Sequence, residues 1–192
     1  MPNCPEYLFC WFGLSILGAI GVPINTAYKR DEMAFVLNDA GAKALVAHQT
    51  LAAVAEEAAV MAPSIEHKLL VDPDNPGEDS LSGWTVFTQA LEQAAELTSR
   101  PKVDPDSVCM LVYTSGTTGN PKGVVYHHRG AFLNSIGNIM AWGMQHHPIY
   151  LWTLPLFHCN GWCFPWTIAA LAGTNICLRR VEAEPIFEAI ST

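Results

Sequence analysis

Short apolar runs alternate with longer amphipathic segments along this chain of 192 residues. The largely apolar runs 44–47 (ALVA), 67–72 (HKLLVD) and 108–114 (VCMLVYT) have the length of buried strands. The segments 29–40 (KRDEMAFVLNDA) and 129–144 (RGAFLNSIGNIMAWGM) have the length and composition of helices. Strands that alternate with helices predict an α/β protein with mainly parallel strand pairing and layered αβα sheets.

The alternation continues to the end of the chain. It predicts strands at 122–128, 149–157 and 174–180, and helices at 161–173 and 184–190. The polar, proline-containing segment 98–107 (TSRPKVDPDS) separates the two halves of the pattern. We therefore expect a first α/β subdomain over 1–100 and a second over 101–192. A helix opens almost directly after Met1 and the last helix reaches Thr192 without a capping signal, which predicts a fold truncated at both ends.

One apolar run permits two interpretations. Residues 7–24 (YLFCWFGLSILGAIGVPI) carry no charge over a length that approaches a membrane-spanning helix or a signal peptide. The preceding residues MPNCPE are acidic rather than basic, and three glycines and Pro23 interrupt the run. We predict a buried helix over roughly 6–19 and a short strand at 22–25, with a membrane-anchored protein as the weaker alternative.

Composition limits the possible partners and the compartment. The net charge is −8 and the notable basic pairs are Lys29-Arg30 and Arg179-Arg180, which argues against a nucleic-acid partner. Half of the residues are hydrophobic and 15% are charged, which favours a large buried core. The six cysteines lie mostly in apolar runs, so we expect free thiols in a reducing cytoplasm. The sequence gives no indication of oligomeric state.

Residues 113–128 (YTSGTTGNPKGVVYHH) interrupt the apolar pattern. Their glycines allow the backbone to approach a ligand closely, and consecutive backbone N–H groups in such a loop form a concavity that binds anions. Hydroxyl groups add hydrogen-bond donors, and Lys122 is the only charge between Asp106 and Arg129. This combination predicts a loop that holds the phosphates of a nucleoside triphosphate.

The loop is not a Walker A motif. That motif requires G-x-x-x-x-G-K-[ST]. Here Pro121 stands at the second glycine position and Gly123 at the position of the hydroxyl residue that binds magnesium. The following residues VVYHH favour a strand rather than a helix. An ordinary P-loop NTPase is therefore excluded.

The segment 114–123 (TSGTTGNPKG) resembles the signature loop of the adenylate-forming superfamily, which includes acyl-CoA synthetases, aryl-CoA ligases, luciferases and peptide-synthetase adenylation domains. Residues 3–25 resemble the early helix of acyl-CoA ligases, and residues 154–166 (LPLFHCNGWCFPW) resemble their acyl-pocket motif. The resemblance covers essentially the whole chain, but only a middle portion of that family's large N-terminal domain.

The resemblance implies an ATP-dependent ligase that uses Mg²⁺ and coenzyme A. A carboxylate would attack the α-phosphate of ATP, giving an acyl-adenylate and pyrophosphate, and a thiol would then displace AMP. The acid would be medium-chain, fatty or thioether. Lys122 and His158 would take the catalytic positions, His158 bordering the acyl pocket beside Asn160 and Gly161. The phosphate-binding positions would be Thr114, Ser115, Gly116, Thr117, Thr118, Gly119 and Lys122.

The family's later motifs do not occur in this sequence, which contains no YGxTE-like and no TGD-like segment. We therefore expect the 192 residues alone to be inactive or nearly so. A non-catalytic nucleotide- or phosphate-binding module is the main alternative, and it predicts saturable ATP binding without adenylation.

Two further kinds of site are disfavoured. The pairs His127-His128, His146-His147 and His158-Cys159 suggest zinc, but the chain has no C-x-x-C and no H-x-x-x-H spacing, and adjacent residues of a strand face opposite sides. No metal site is predicted from these residues. The segment YTSGT lacks the G-x-S-x-G pattern of a nucleophile elbow, which excludes that form of Ser-His-Asp hydrolase.

Overall fold

The computed structural model describes residues 1–72, 81–114 and 120–191. The helices are α1 (Pro5–Leu17), α2 (Arg30–Asp39), α3 (Ala52–Val60), α4 (Phe87–Gln93), α5 (His128–Trp142), α6 (Phe164–Ala170) and α7 (Ala183–Ser191). The strands are β1 (Ala44–His48), β2 (His67–Val71), β3 (Thr85–Val86), β4 (Val108–Thr114), β5 (Lys122–His127), β6 (Ile149–Trp152) and β7 (Thr174–Cys177). The predicted α/β class is confirmed.

The chain divides into two compact units. The first unit contains Ile24–Arg100, together with Met1 and the described residues 120–123. The second unit contains Pro2–Pro23, Pro101–Thr114 and the chain from Val124 onward. The predicted division into subdomains at residues 100 and 101 stays a prediction.

The first unit is built on a parallel sheet of order β1-β2-β3. Helices α2 and α3 pack on it and bury an apolar cluster that includes Leu37, Leu70 and Trp84. Three of the five alanines of α3 recur every three residues and are almost fully buried, so that this face of the helix can approach its neighbours closely: Ala52, Ala55 and Ala58. The alternation read from the sequence in this unit therefore corresponds to a buried parallel sheet.

A partly buried ion pair joins α3, β2 and the residue before β3. Glu56 Oε2 accepts hydrogen bonds from Lys68 Nζ at 2.8 Å and from Trp84 Nε1 at 2.6 Å. The Lys68 ammonium also lies 5.5 Å from the centroid of the Trp84 ring. The hydrogen bond from Lys68, followed by that from Trp84, lowers the pKa of the Glu56 carboxyl below its usual value.

We expect Glu56→Gln to lower the free energy of unfolding of the first unit by about 1 kcal/mol at pH 7, since the two side chains are only partly shielded from water. A carboxylate whose pKa is lowered by folding stabilises the fold above its unfolded pKa and loses that effect as the pH falls through its folded pKa. The difference in the free energy of unfolding between the wild type and Glu56→Gln should therefore shrink as the pH falls. Urea titrations followed by far-UV circular dichroism, from pH 7 to pH 3, measure this difference.

Glu66→Gln is the matched control for that experiment. Glu66 pairs with Lys43 at 2.6 Å, but both side chains are more than half exposed. Exposed pairs contribute little to stability, so this change should shift the urea midpoint much less. Equal effects of the two substitutions at pH 7, or a Glu56→Gln effect independent of pH, would contradict the assignment.

Besides the β1-β2-β3 sheet, the described part of the chain contains two two-stranded sheets. Strands β4 and β5 are hydrogen-bonded neighbours, and β6 pairs in parallel with β7. The chain at Gly21 adds a parallel bridge to Met110, with Gly21 N–H donating to the Cys109 carbonyl at 3.0 Å. The predicted strand at 22–25 is wrong. Pro23 has no backbone N–H to continue a ladder, so pairing stops after this one bridge.

Helix α1 corresponds to the long apolar run. It spans Pro5–Leu17, close to the predicted 6–19, and it ends because Gly18 adopts a left-handed conformation with φ 70°. Its buried face carries Tyr7, Leu8 and Trp11. Within the described ranges, no helix has both the length and the apolar character needed to cross a membrane.

Candidate active site

The predicted phosphate loop lies in the chain between β4 and β5, which are neighbours in one sheet. Strand β4 ends at Thr114 and strand β5 begins at Lys122, and both of these side chains are exposed. The other predicted phosphate-binding residues lie outside the described residues: Ser115, Gly116, Thr117, Thr118 and Gly119. Phosphate binding by this loop stays a prediction.

The far end of β5 is fixed to the start of α5. His127 caps the helix, with Nδ1 accepting a hydrogen bond from the Gly130 N–H at 2.7 Å. Gly130 leaves no room for a larger residue, because an added Cβ would lie 2.8 Å from His127 Cε1. Arg129 pairs with Asp106 at 2.9 Å, and the Arg129 N–H donates to the Pro105 carbonyl at 2.8 Å. His127 is therefore a structural cap at the end of the strand that carries Lys122.

A buried asparagine near the N-terminus sets the path of the chain towards His158. Asn3 Nδ2 donates to the carbonyls of Trp152 at 3.2 Å and Leu154 at 2.9 Å, and Asn3 Oδ1 accepts from the Leu156 N–H at 2.8 Å. These bonds replace strand pairing beyond Trp152. The predicted strand over 149–157 is therefore wrong beyond residue 152, where Pro155 also removes a donor.

The predicted acyl-pocket residues lie in an unusual turn over His158–Cys163, which we call the left-handed turn. Five consecutive residues, 159–163, have φ between 48° and 63°. Four of them are not glycine, and each such residue costs about 1–2 kcal/mol relative to the right-handed form. The predicted helix over 161–173 is therefore only partly correct, because regular helix begins at Phe164.

Side chains from two helices satisfy the carbonyls of the left-handed turn. Asn138 Nδ2, on α5, donates to the Trp162 carbonyl at 3.0 Å, and Thr167 Oγ1, on α6, donates to the Cys163 carbonyl at 3.0 Å. Asn138 Nδ2 also lies 3.3 Å from Thr167 Oγ1. The sequence interpretation missed both residues. The signal available was a small polar residue within each of two otherwise largely apolar helical segments.

The left-handed turn contains three of the predicted site residues, and these differ in their exposure to solvent. His158 is exposed, whereas Asn160 and Gly161 are buried. Asn160 is 0% exposed, and neither its Oδ1 nor its Nδ2 has a hydrogen-bond partner in the described part of the chain. A fully buried amide without hydrogen-bond partners is costly to the fold. A polar partner from outside the fold would remove that cost.

Two thiols, Cys163 at the end of the turn and Cys109 on β4, are unsuited to nucleophilic chemistry. Burial raises the pKa of Cys163 to about 11, and burial also raises the pKa of Cys109. A thiol that stays protonated at neutral pH is a weak nucleophile and a weak metal ligand. Among the described residues, no group of three or more His, Cys, Asp or Glu side chains is arranged to hold a metal ion.

Comparisons with known proteins place the chain in a family. The AMP-binding enzyme family model matches residues 1–192. The peroxisomal acetate/butyrate–CoA ligase AAE7 of Arabidopsis thaliana is 36% identical over 206 residues, covering 99% of this chain and 36% of that protein. The chain thus spans just over a third of the length of this relative.

Solved structures agree with the sequence relatives. A long-chain-fatty-acid–CoA ligase (FadD1) of Archaeoglobus fulgidus superposes with TM-score 0.84 at 26% identity, covering 98% of this chain and 36% of that one. The anthranilate–CoA ligase AuaEII, in complex with anthranoyl-AMP, superposes with TM-score 0.79 at 25% identity. The superposition covers 99% of this chain and 36% of that one. The fold is that of the N-terminal domain of adenylate-forming enzymes, and the chain belongs to the AMP-binding enzyme family.

Proposed function

We propose that this chain is the phosphate- and acid-binding part of an ATP-dependent carboxylate–CoA ligase. The observation that supports it best is the signature TSGTTGNPKG, bounded by Thr114 at the end of β4 and Lys122 at the start of the neighbouring β5. The carboxylate oxygen attacks the α-phosphate of ATP and pyrophosphate leaves, giving an acyl-adenylate. The thiol of coenzyme A then attacks the acyl carbon, forming the thioester and releasing AMP.

The loop's task in this reaction is electrostatic. Negative charge builds up on the departing pyrophosphate, and preorganised donors lower the barrier by meeting that charge. The backbone N–H groups and hydroxyls of residues 114–119 and the ammonium of Lys122 supply such donors in our proposal. No carboxylate lies between Asp106 and Arg129. The hydroxyl groups of the loop are oxygen ligands that Mg²⁺ takes together with substrate phosphates, so these hydroxyls would help to hold the ion, which would neutralise part of the phosphate charge.

The left-handed turn is the proposed acid site, with His158 at its border and Asn160 and Gly161 in its wall. We propose a medium-chain, fatty or thioether acid as the substrate. The names of the relatives extend the set to be tested to acetate, butyrate and anthranilate. We propose a cytoplasmic location, because the six cysteines lie mostly in apolar runs, as expected of free thiols in a reducing compartment. The Arabidopsis relative is named as peroxisomal, so fluorescence microscopy of the tagged protein is the check.

Acid binding distinguishes a ligase from a phosphate-binding module. We expect the purified chain to bind at least one acid of this set saturably, and His158→Ala to weaken that binding by about fivefold, as loss of one polar contact would. His146→Ala, at another exposed histidine, is the matched control and should leave it unchanged. Titration calorimetry with each acid measures both.

Three outcomes separate the hypotheses. Binding of ATP without binding of any acid favours the non-catalytic module. Acid binding that is insensitive to His158→Ala contradicts the proposed acid site. We expect no acid-dependent release of pyrophosphate from the 192 residues alone, and robust turnover would overturn that expectation.

A further inference from the structure

Asn138 and Thr167 converge on consecutive carbonyls of the left-handed turn. Asn138 Nδ2 binds the Trp162 carbonyl and Thr167 Oγ1 binds the Cys163 carbonyl, both at 3.0 Å. A third hydroxyl, Ser135 Oγ, lies farther away at 3.5 Å from the Cys163 carbonyl and makes its shorter bond, 2.8 Å, to Ala131 within its own helix. Asn138 therefore makes the main hydrogen bond from α5 to the turn, and Thr167 bonds back to Cys163, which is both the last residue of the turn and the N-cap of Thr167's own helix α6.

The turn needs partners of this kind. Cys159, Asn160, Trp162 and Cys163 occupy a conformation that L-amino acids rarely adopt in sequence. Such backbone persists only where the surrounding structure holds it, and it concentrates at functional sites. Thr167 is fully buried, so its hydroxyl has no water to replace the Cys163 carbonyl.

We propose that Asn138 and Thr167 are positioning residues of the acid site. They hold 159–163 in the left-handed form, which presents His158 to solvent and places the unpartnered Asn160 amide inside the fold. The identification of the ligand as a carboxylic acid rests on the proposed function, whereas the role of the two donors in holding the turn does not. Neither residue touches the acid, and both act through the turn.

Isosteric variants test this. Thr167→Val removes the hydroxyl at nearly constant volume, and Asn138→Asp removes the N–H donor. Thr167→Ser keeps the hydroxyl and is the matched control. In the ¹⁵N-labelled chain, the three-bond HN–Hα couplings and intraresidue HN–Hα cross-peaks of residues 159–163 report the sign of φ. We expect positive φ to be lost in Thr167→Val and Asn138→Asp and kept in Thr167→Ser.

The same samples are titrated with the acid that the wild type binds best. Affinity should fall about tenfold in Thr167→Val and Asn138→Asp and stay within about twofold of the wild type in Thr167→Ser. ATP affinity should not change in any variant, which a general loss of folding would not allow.

The outcomes separate the two proposals. A turn that keeps positive φ in both Thr167→Val and Asn138→Asp overturns the inference. Loss of positive φ in these variants without any loss of acid affinity also overturns the inference. If the wild type binds no acid but the couplings change as expected, the proposed function fails while the role of the two donors in holding the turn is supported.

Discussion

Gly161→Val is expected to destabilise the second unit by about 3–5 kcal/mol. Gly161 has φ 52°, which a β-branched residue adopts only with strain. An added Cβ would lie 2.8 Å from Trp152 Cζ3 and 2.9 Å from Cη2 of the same ring. Trp152 is 1% exposed and cannot move without disturbing the core of the unit. Urea unfolding followed by tryptophan fluorescence gives the change in free energy.

Gly137→Ala is the matched control. Gly137 lies inside α5, and an added Cβ would have no neighbour within 4 Å. Alanine there should stabilise the helix by about 0.5–1 kcal/mol. If Gly161→Val leaves the unfolding midpoint unchanged, the left-handed turn does not have the packing described above.

Lys122→Ala is expected to weaken ATP binding by about tenfold to a hundredfold. A hydrogen bond to a charged group contributes roughly 1.5–3 kcal/mol, which corresponds to that range. Lys122→Arg keeps the positive charge but changes the donor geometry, so it should fall between alanine and the wild type. Calorimetric titration with ATP at fixed ionic strength measures the dissociation constant of each variant.

Lys102→Ala removes the same charge from an exposed position outside the predicted loop. It should change ATP affinity much less than Lys122→Ala does, because an exposed charge that makes no contact with the ligand is screened by salt. Equal losses in the two variants would mean that net charge, rather than the loop, governs binding. Unchanged ATP binding in Lys122→Ala would count against the loop in both the ligase and the module hypotheses.

Elements whose burial is local could be predicted from the sequence. Strands β1 and β4 are continuous apolar runs bounded by polar residues, and α1 ends where Gly18 permits a left-handed residue. The local pattern of apolar residues is enough to predict these elements, because the apolar side chains of each element are the ones that it buries. The phosphate-loop positions could be named from the motif, although residues 115–119 lie outside the described structure.

The left-handed turn could not be predicted. Its sequence, HCNGWC, carries one glycine, and its carbonyls accept hydrogen bonds from Asn138, which lies 24 residues before Trp162, and from Thr167 in the helix that follows. The end of β6 could not be predicted either. Asn3, 153 residues earlier in the chain than Leu156, supplies the acceptor that takes the place of a strand partner. Such tertiary hydrogen bonds override local preference.

In the proposed function, the loop ending at Lys122 binds the pyrophosphate end of ATP. Competition titration tests it most directly: the chain is loaded with a fluorescent ATP analogue and titrated with inorganic pyrophosphate or with adenosine. We expect pyrophosphate to displace the analogue from the wild type, and to do so at least about tenfold less effectively from Lys122→Ala, because that variant lacks a charged contact. Displacement by adenosine alone, with pyrophosphate inert, would contradict it.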